Sequence, residues 1–327
     1  MSVAGSSALC FGKLPSHADF VRFNAGGPEL HALDEWLQRG LSFARTRTGW
    51  EQDFERSPQY RFFFHPENAD HFLTGVLQAS QDKSHRHYPF LVALSMDRRC
   101  FLDSQLWLAP FVLSEFYDRA QQLVRRAEGG MEMREIADQT QALNGPLPDQ
   151  GSAESRYRAD YLDVLPAESF WRELFGSFGD SRKYLVLKNL ADVLLPFRGR
   201  TSARINLGLR FPLANSGSPV ECSVCFWLNL SFILLGSLPG RPFLFWSLPR
   251  ETLPGYLFLF FRQPSARHFL QLLKPEADNE TICAVDEEGR EKAATASQLI
   301  VPGYRVPLEA GKEPLSRFLS SVMSATT

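Results

Sequence analysis

The sequence lacks a strong charge bias, a cysteine framework and an N-terminal export signal. Its 327 residues include 35 Lys and Arg and 37 Asp and Glu, for a formal net charge of −2. Without a basic excess there is little electrostatic attraction for nucleic acid, so no nucleic-acid partner is expected. The 5 cysteines are odd in number and widely spaced, which favours a reducing compartment over disulfides. The N-terminus has no basic segment followed by a long apolar one, so no secretory signal is expected.

Long uninterrupted apolar runs are also missing. The segment Val220–Leu238 reads VECSVCFWLNLSFILLGSL, and Glu221 and Asn229 interrupt it. A membrane-spanning helix needs about 20 mostly apolar residues, so the segment predicts a buried helix, and no direct membrane insertion is expected. Within it, Cys222 and Cys225 form a lone C-x-x-C. Zinc would need further ligands and redox chemistry an accessible loop, so buried structural thiols are expected.

Aromatic and aliphatic residues are abundant. The chain contains 27 Phe, and 44% of its residues are hydrophobic, which predicts a packed interior in one large domain or two ordinary ones. Apolar residues at three- and four-residue spacing predict a helix that begins near Pro28. Strand-like and helical segments are mixed in both halves, a pattern typical of layered α/β proteins. The other predicted segments are strands at 59–65, 88–96, 202–213 (half-buried), 242–248 and 256–261, helices at 113–127, 131–143, 167–175, 183–195, 222–235, 266–273 and 314–323, and a strand or helix at 71–79.

Residues 144–153, NGPLPDQGSA, have the composition of a turn or linker. They predict a boundary between an N-terminal α/β domain at 1–145 and a C-terminal α/β region at 146–327. The alternatives are a long surface loop within one domain, or two regions packed into one globular unit.

The stretch GKLPSHADFVRF, residues 12–23, follows a short apolar segment and reads as a strand that ends in an ordered loop. It is not a phosphate-binding loop, because the glycine spacing is wrong and Pro15 removes an amide donor. His17 and Asp19 could form a general-base pair, but no serine or cysteine stands in a nucleophile-elbow motif. The preferred interpretation is that Asp19 organises the turn and Phe20 anchors it.

Histidines at alternating positions raise the question of a metal. His85 and His87 would lie on one face if the segment were a strand, although no metal-binding motif accompanies them. Exposed residues at a strand edge are the alternative interpretation, and neither a metal nor a cofactor is expected.

Several motifs resemble the type VI secretion-associated TagF (ImpM) family. The first part of the resemblance is the loop Gly12, Lys13, Leu14, Pro15, which leads to Asp19 and Phe20 and then to a helix with the motif Asp34-Glu35-Trp36-Leu37. The second part is Ser80, Gln81 and Asp82, followed by Arg86 and by Tyr88, Pro89 and Phe90. Two family glycines are replaced, by Ala18 and His85. If either position requires a positive φ, its backbone is expected to differ here.

The resemblance implies a fold and a function. It implies a three-layer α/β/α sandwich, for which we expect a mixed central sheet. It also implies a non-catalytic cytoplasmic protein that represses type VI secretion assembly after translation, by binding and sequestering a forkhead-associated-domain scaffold protein.

The sequence further suggests where a partner would bind. We expect the surface near residues 12–20 and 82–86, with Arg86 pairing with Asp19 or Asp82. Three alternatives remain open at this point: motifs that are purely architectural, an enzyme of unknown type that uses Asp19, Asp82 and Arg86 together with His17, and a small-ligand sensor.

Overall fold

The computed structural model describes residues 6–67, 69–201, 204–214, 218–238, 240–249, 254–287 and 289–326. Within these ranges the strands form one nine-stranded sheet in the order β2-β1-β5-β4-β3-β7-β8-β6-β9. The strands are β1 Ser6–Gly12, β2 Val21–Phe23, β3 Tyr60–Phe64, β4 His71–Gln78, β5 Phe90–Asp97, β6 Gly208–Leu213, β7 Phe243–Ser247, β8 Gly255–Phe260 and β9 Ile282–Ala284.

Helices connect and cover the strands. They are α1 Pro28–Ala44, α2 Trp50–Arg56, α3 Ala109–Val112, α4 Ser114–Glu128, α5 Met133–Gln141, α6 Gln150–Tyr157, α7 Ala167–Phe175, α8 Arg182–Leu194, α9 Val220–Leu235, α10 Ala266–Leu273, α11 Gly289–Leu299, α12 Pro302–Glu309 and α13 Leu315–Thr326. Within the described ranges, every helix is too short or too polar to cross a bilayer.

The sheet is mixed and runs through both halves of the sequence. Its neighbouring strands are antiparallel except for β6 and β9, which are parallel. Strand β3 from the first half pairs with β7 from the second, with Phe62 opposite Phe245. The predicted boundary near residue 145 stays a prediction, and the ladder between β3 and β7 joins the regions on either side of it.

Alternating residues of the strands feed two separate cores. Leu9 and Phe11 of β1 join the core beneath α1, α2 and α10. Ala8 and Cys10 of the same strand join the core on the opposite face, which is built with helices α3 to α9, α12 and α13. This period of two is the geometry of a strand covered on both sides. The result is the expected layered α/β/α arrangement.

Most predicted elements are found close to their expected bounds. Helix α1 begins at Pro28, and helices α7 and α10 have the predicted limits. The undecided segment at 71–79 is strand β4, and the apolar run at 222–235 lies within the buried helix α9. Burial explains the raised pKa of Cys222, about 12, and agrees with a structural thiol.

The prediction at 202–213 was wrong in two respects. Strand β6 begins only at Gly208, and all of its residues are buried. Residues 202 and 203 lie outside the described ranges. Helix α9 covers one face of the strand: the ring centroids of Phe211 and Trp227 are 5.2 Å apart, and Trp227 Nε1 donates to the Pro212 carbonyl at 2.9 Å. From the alternate face, the buried Arg210 donates from Nη1 to the Pro275 carbonyl at 2.6 Å.

Two side-chain amides complete the edge of β1 where the short strand β2 does not reach. Asn144 Oδ1 accepts from the Ala8 N–H at 2.8 Å, and Asn24 Nδ2 donates to the Ala8 carbonyl at 3.0 Å. Asn24 has φ 52°, a left-handed conformation that asparagine tolerates better than most residues.

Candidate functional site

A glycine that cannot be replaced without strain brings two motif loops together. Gly12 ends β1 with φ 131°, and a Cβ there would lie 2.0 Å from the Pro89 carbonyl oxygen. The close approach of the two backbones sets residues 13–20 beside residues 80–89. These two segments, residues 12–20 and 80–89, are called the corner below.

Asp82 is the buried centre of the corner. Its carboxylate is 2.9 Å from Lys13 Nζ, and both side chains are almost completely buried. Asp82 Oδ1 accepts from the N–H groups of Ser84 at 2.9 Å and Arg86 at 3.0 Å. Asp82 Oδ2 accepts from Arg86 Nε at 2.7 Å. Burial alone would raise the pKa of Asp82, but the hydrogen bonds from Lys13, the two amides and Arg86 together hold this pKa well below its usual range.

Arg86 connects the two loops of the corner. Besides Asp82, its guanidinium donates from Nη2 to the Ala18 carbonyl at 2.8 Å. A backbone bond from Lys83 N–H to the His17 carbonyl, 2.9 Å, runs beside it. Of the two partners considered for Arg86, the structure pairs it with Asp82. Asp19 is exposed and accepts from its neighbouring Phe20 N–H at 2.8 Å.

Phe20 lies in an aromatic cluster under the first loop. Its ring centroid is 5.3 Å from that of Phe11 and 4.9 Å from that of Tyr88. The Tyr88 hydroxyl donates to Asp34, the acid of the α1 motif. Burial and this bond raise the pKa of Tyr88 far above its ordinary value. Phe20 is half-buried, so it anchors the loop against the core without entering it completely.

The remaining motif residues are placed by packing. Trp36 stacks on Phe245 at 5.2 Å between centroids and donates from Nε1 to the Ser265 carbonyl at 3.2 Å. It therefore joins the first half of the chain to the second. Leu14, Ser80 and Pro89 are also buried, whereas Pro15 is exposed. The Ser80 carbonyl accepts from Tyr88 N–H at 3.0 Å.

The backbone conformation differs between positions 18 and 85, where the resemblance leads us to expect glycine. His85 has φ 57°, so a residue with a side chain adopts a left-handed conformation at this position. Among the described residues, the non-glycine residues with a positive φ are Asn24 and His85, so Ala18 does not have one.

The strand-face prediction for His85 and His87 was wrong. His87 forms only an isolated bridge with Gln81, because the segment between them is a tight turn. His87 Nε2 lies 3.2 Å from Glu55. In the described part of the chain, no group of three or more His, Cys, Asp or Glu side chains is arranged to hold a metal. His17 Nδ1 lies 2.9 Å from Ser16 Oγ, a local contact that does not involve Asp19.

Sequence reasoning missed a buried ionic network at the centre of the sheet. Arg61 of β3 pairs with Glu221, the second residue of α9, and both are almost fully buried. Arg61 Nη2 also bonds Asp118 at 2.7 Å and Gln121 at 3.0 Å, and Trp246 Nε1 donates to Glu221 at 3.3 Å. The available signal was one charge of each sign within otherwise apolar segments, YRFFF and VECSVCFW.

The corner presents a charged surface whose loops are joined by hydrogen bonds. Behind it, Asp82 has both oxygens occupied and a depressed pKa, so it is a poor general base. In front, Arg86 has 59% of its side chain exposed. Ser16, Asp19, Lys83, Ser84 and His85 are exposed around it. Such an arrangement is suited to contact with another surface.

Comparisons with known proteins agree with the motifs. Residues 9–143 match the TagF N-terminal domain, described as type VI secretion system-associated. Among solved structures, the crystal structure of PA0076 from Pseudomonas aeruginosa PAO1 is similar, with a TM-score of 0.50 and 16% sequence identity. The similarity covers 84% of this chain and 96% of that chain, and at this identity it concerns the fold alone. No curated protein matches the chain.

Proposed function

Because the chain carries a TagF N-terminal domain and is thereby associated with type VI secretion, we propose that it is a cytoplasmic, non-catalytic repressor of assembly of the secretion system. In this proposal it acts after translation, by binding and sequestering a scaffold protein that has a forkhead-associated domain. The match over residues 9–143 carries the proposal, since the partner and the repression are implied by the family resemblance.

Repression of this kind needs a stable binding surface and no reaction. A protein that binds a free component lowers the concentration available for assembly by mass action. The corner offers such a surface, because Arg86 is exposed while Asp82 and the Ala18 carbonyl fix its position. Arginine is enriched among residues that dominate binding energy, and a side chain already held in place loses less entropy on binding.

The engagement of Asp82 supports binding over catalysis at the corner. An enzyme that used Asp19, Asp82 and Arg86 would need a carboxylate able to take up a proton near neutral pH. Asp82 accepts four hydrogen bonds, and its pKa lies well below the usual range. Asp19 bonds its own loop, and Arg86 is already used to join the two loops.

A pull-down of the scaffold protein from the native host tests the proposal. Charge reversal at the exposed Lys83 and Arg86 is expected to reduce recovery of the scaffold at least about tenfold, equivalent to about 1.4 kcal/mol. Lys13 is unsuited to this test, because it is buried against Asp82 and its reversal would disrupt the fold. Arg86 also bonds Asp82, but 59% of its side chain is exposed, and its reversal is interpreted only once thermal unfolding shows that the variant is folded. The control is Arg126→Glu, on helix α4, which packs on the opposite face of the sheet from α1.

The outcomes separate the proposals. No recovery of the scaffold by the wild-type protein would overturn sequestration. Full recovery by folded Lys83→Glu and Arg86→Glu variants would leave sequestration standing and remove the corner as its surface. Retained repression of secretion by a variant that no longer binds the scaffold would show that repression has another route.

A further inference from the structure

A second surface lies next to the corner, between the end of α1, helix α2 and helix α10. It is an open groove of about 720 Å³. Phe43 and Trp50 are half-buried in its lower part, and Arg47 and Arg267 stand exposed at its rim. Arg45, also exposed, adjoins the groove by lying over the Trp50 ring.

Aromatic rings hold these arginines in position. The guanidinium groups of Arg47 and Arg267 lie 5.6 Å and 5.8 Å from the centroid of the same Phe43 ring. Arg45 lies 5.6 Å from the centroid of Trp50. A cation–π contact orients a guanidinium and leaves its charge and its hydrogen-bond donors available to a ligand.

None of these three arginines has a carboxylate partner among the contacts of the described residues. Other exposed arginines of the chain do have one: Arg39, on the same helix α1, pairs with Glu35. Arg47 and Arg267, which lie over the same Phe43 ring, therefore place two guanidinium groups without a carboxylate partner side by side at the groove.

The groove is also lined by the acidic residues Asp53, Asp278 and Glu280. Asp53 is paired with Lys274 at 2.9 Å, so its charge is already compensated. Asp278 and Glu280 belong to the loop that follows α10. The lining thus has three basic side chains, Arg47, Arg267 and Lys274, and three acidic ones, so the positive charge available to an anionic ligand is local to the Phe43 ring that Arg47 and Arg267 share.

This end of the groove is continuous with the corner. The ring centroids of Trp50 and His87 are 5.3 Å apart, so one side of the tryptophan contacts the corner loop while Arg45 lies over the same indole. A chain that passed over Trp50 would touch both surfaces.

We propose that the groove is a docking site for an acidic, Asp- and Glu-rich segment of a protein partner. Its carboxylates would accept charge-assisted hydrogen bonds from Arg47 and Arg267, and its apolar atoms would lie on Phe43 and Trp50. The site is distinct from the contact at the corner and does not depend on which protein the corner binds.

Fluorescence anisotropy with a labelled oligoglutamate peptide tests the site on the full-length protein. The wild-type protein is expected to bind the oligoglutamate peptide. It should bind an oligoglutamine peptide of equal length at least about tenfold more weakly. The double variant Arg47→Ala/Arg267→Ala is expected to bind oligoglutamate at least about tenfold more weakly than the wild type. Phe43→Ala is expected to bind it severalfold more weakly. The matched control is Arg39→Ala, which removes a neighbouring arginine that is already paired and should change affinity by less than about twofold.

Four results would overturn the proposal. They are no peptide binding by the folded wild-type protein, equal binding by the double variant, an equal loss in the Arg39→Ala control, and tighter binding of duplex DNA or phosphatidylserine vesicles than of oligoglutamate through the same arginines. Thermal unfolding verifies that each variant is folded. A negative result here leaves the pull-down of the scaffold unaffected, so failure of this site and failure of the proposed function are distinguishable.

Discussion

The buried pair of Arg61 and Glu221 gives the sharpest test of how the two halves of the chain are held together. The side chains of Arg61 and Glu221 are 5% and 3% exposed, and the pair joins β3 to the start of α9. Removing one member of a buried ion pair typically costs about 3–5 kcal/mol, because the other charge stays buried without compensation.

The hydrogen bonds that remain after each replacement predict which single variant loses more unfolding free energy. In Glu221→Gln, Arg61 keeps Asp118 and Gln121 as partners, so the loss should lie near about 3 kcal/mol. In Arg61→Met, the side-chain bond that Glu221 keeps among the described residues is the long one from Trp246 Nε1, so the loss in unfolding free energy should approach about 5 kcal/mol. The double variant Arg61→Met/Glu221→Leu should be more stable than either single variant, because no buried charge remains.

Denaturant unfolding followed by circular dichroism measures these differences, and thermal unfolding supports them. An unfolding entropy of about 2.1 cal/mol/K per residue predicts midpoint shifts of about 4–7 °C for the single variants. Asp118→Asn is the control and should cost less than about 1 kcal/mol, because that side chain is largely exposed. The roles assigned to Arg61 and Glu221 are contradicted if Glu221→Gln lowers the free energy of unfolding more than Arg61→Met does. They are also contradicted if the double variant is no more stable than the less stable single variant.

Three further predictions concern the corner. Gly12→Ala should lower the free energy of unfolding by more than about 4 kcal/mol or give no folded protein, because its Cβ would collide with Pro89. The control Gly26→Ala has open space around its Cβ and should leave the soluble yield and the unfolding midpoint nearly unchanged. His85→Gly should raise the unfolding free energy by about 0.5–1 kcal/mol by relieving a left-handed histidine, and a lower midpoint would refute the strain. The pKa of Asp82 is depressed, so its contribution is complete above the ordinary carboxyl pKa of about 4 and is lost only as the pH falls through the lower folded value. The stability gap between wild type and Asp82→Asn should stay constant from about pH 7 to pH 5 and narrow below about pH 4, and a gap that narrows already above pH 5 would contradict this assignment.

Periodicity predicted most of the fold because burial imposes it. Leu30, Leu33 and Leu37 recur at helical spacing and all face the core beneath α1. The apolar run at 88–96 likewise indicated a strand covered on both sides, as β5 is. The short helices α2, α3, α6, α11 and α12 and the three-residue strands β2 and β9 were missed, since an element of at most three turns or three residues carries little periodic signal.

The parts that could not be predicted depend on contacts far apart in sequence. Ser202 to Leu213 alternates like a half-buried strand, but the packing of α9 against β6 decides its burial. Arg61 and Glu221 are 160 positions apart, so nothing local indicates that they meet.

At the corner, the resemblance pointed to two loops that the fold brings together, while the partner of Arg86 could be identified only from the structure. Asp19 lies one residue from the carbonyl that Arg86 binds, and yet the ion pair goes to Asp82. Sequence spacing alone therefore leaves open which of these two nearby acids pairs with Arg86.

The two asparagines at the edge of β1 restrict how this protein can associate. An open strand edge is a template on which another chain can form a strand, leading to swapped dimers or fibrils. Asn24 and Asn144 occupy the outward N–H and C=O of Ala8, so an incoming strand would have to displace both amides first. Asn144 also follows directly after the matched residues 9–143, so a fragment cut at that limit would expose the edge of β1 together with the edge of β3 that β7 covers. Fragments of this kind are expected to self-associate, and work on the first half of the chain is best done within the full-length protein.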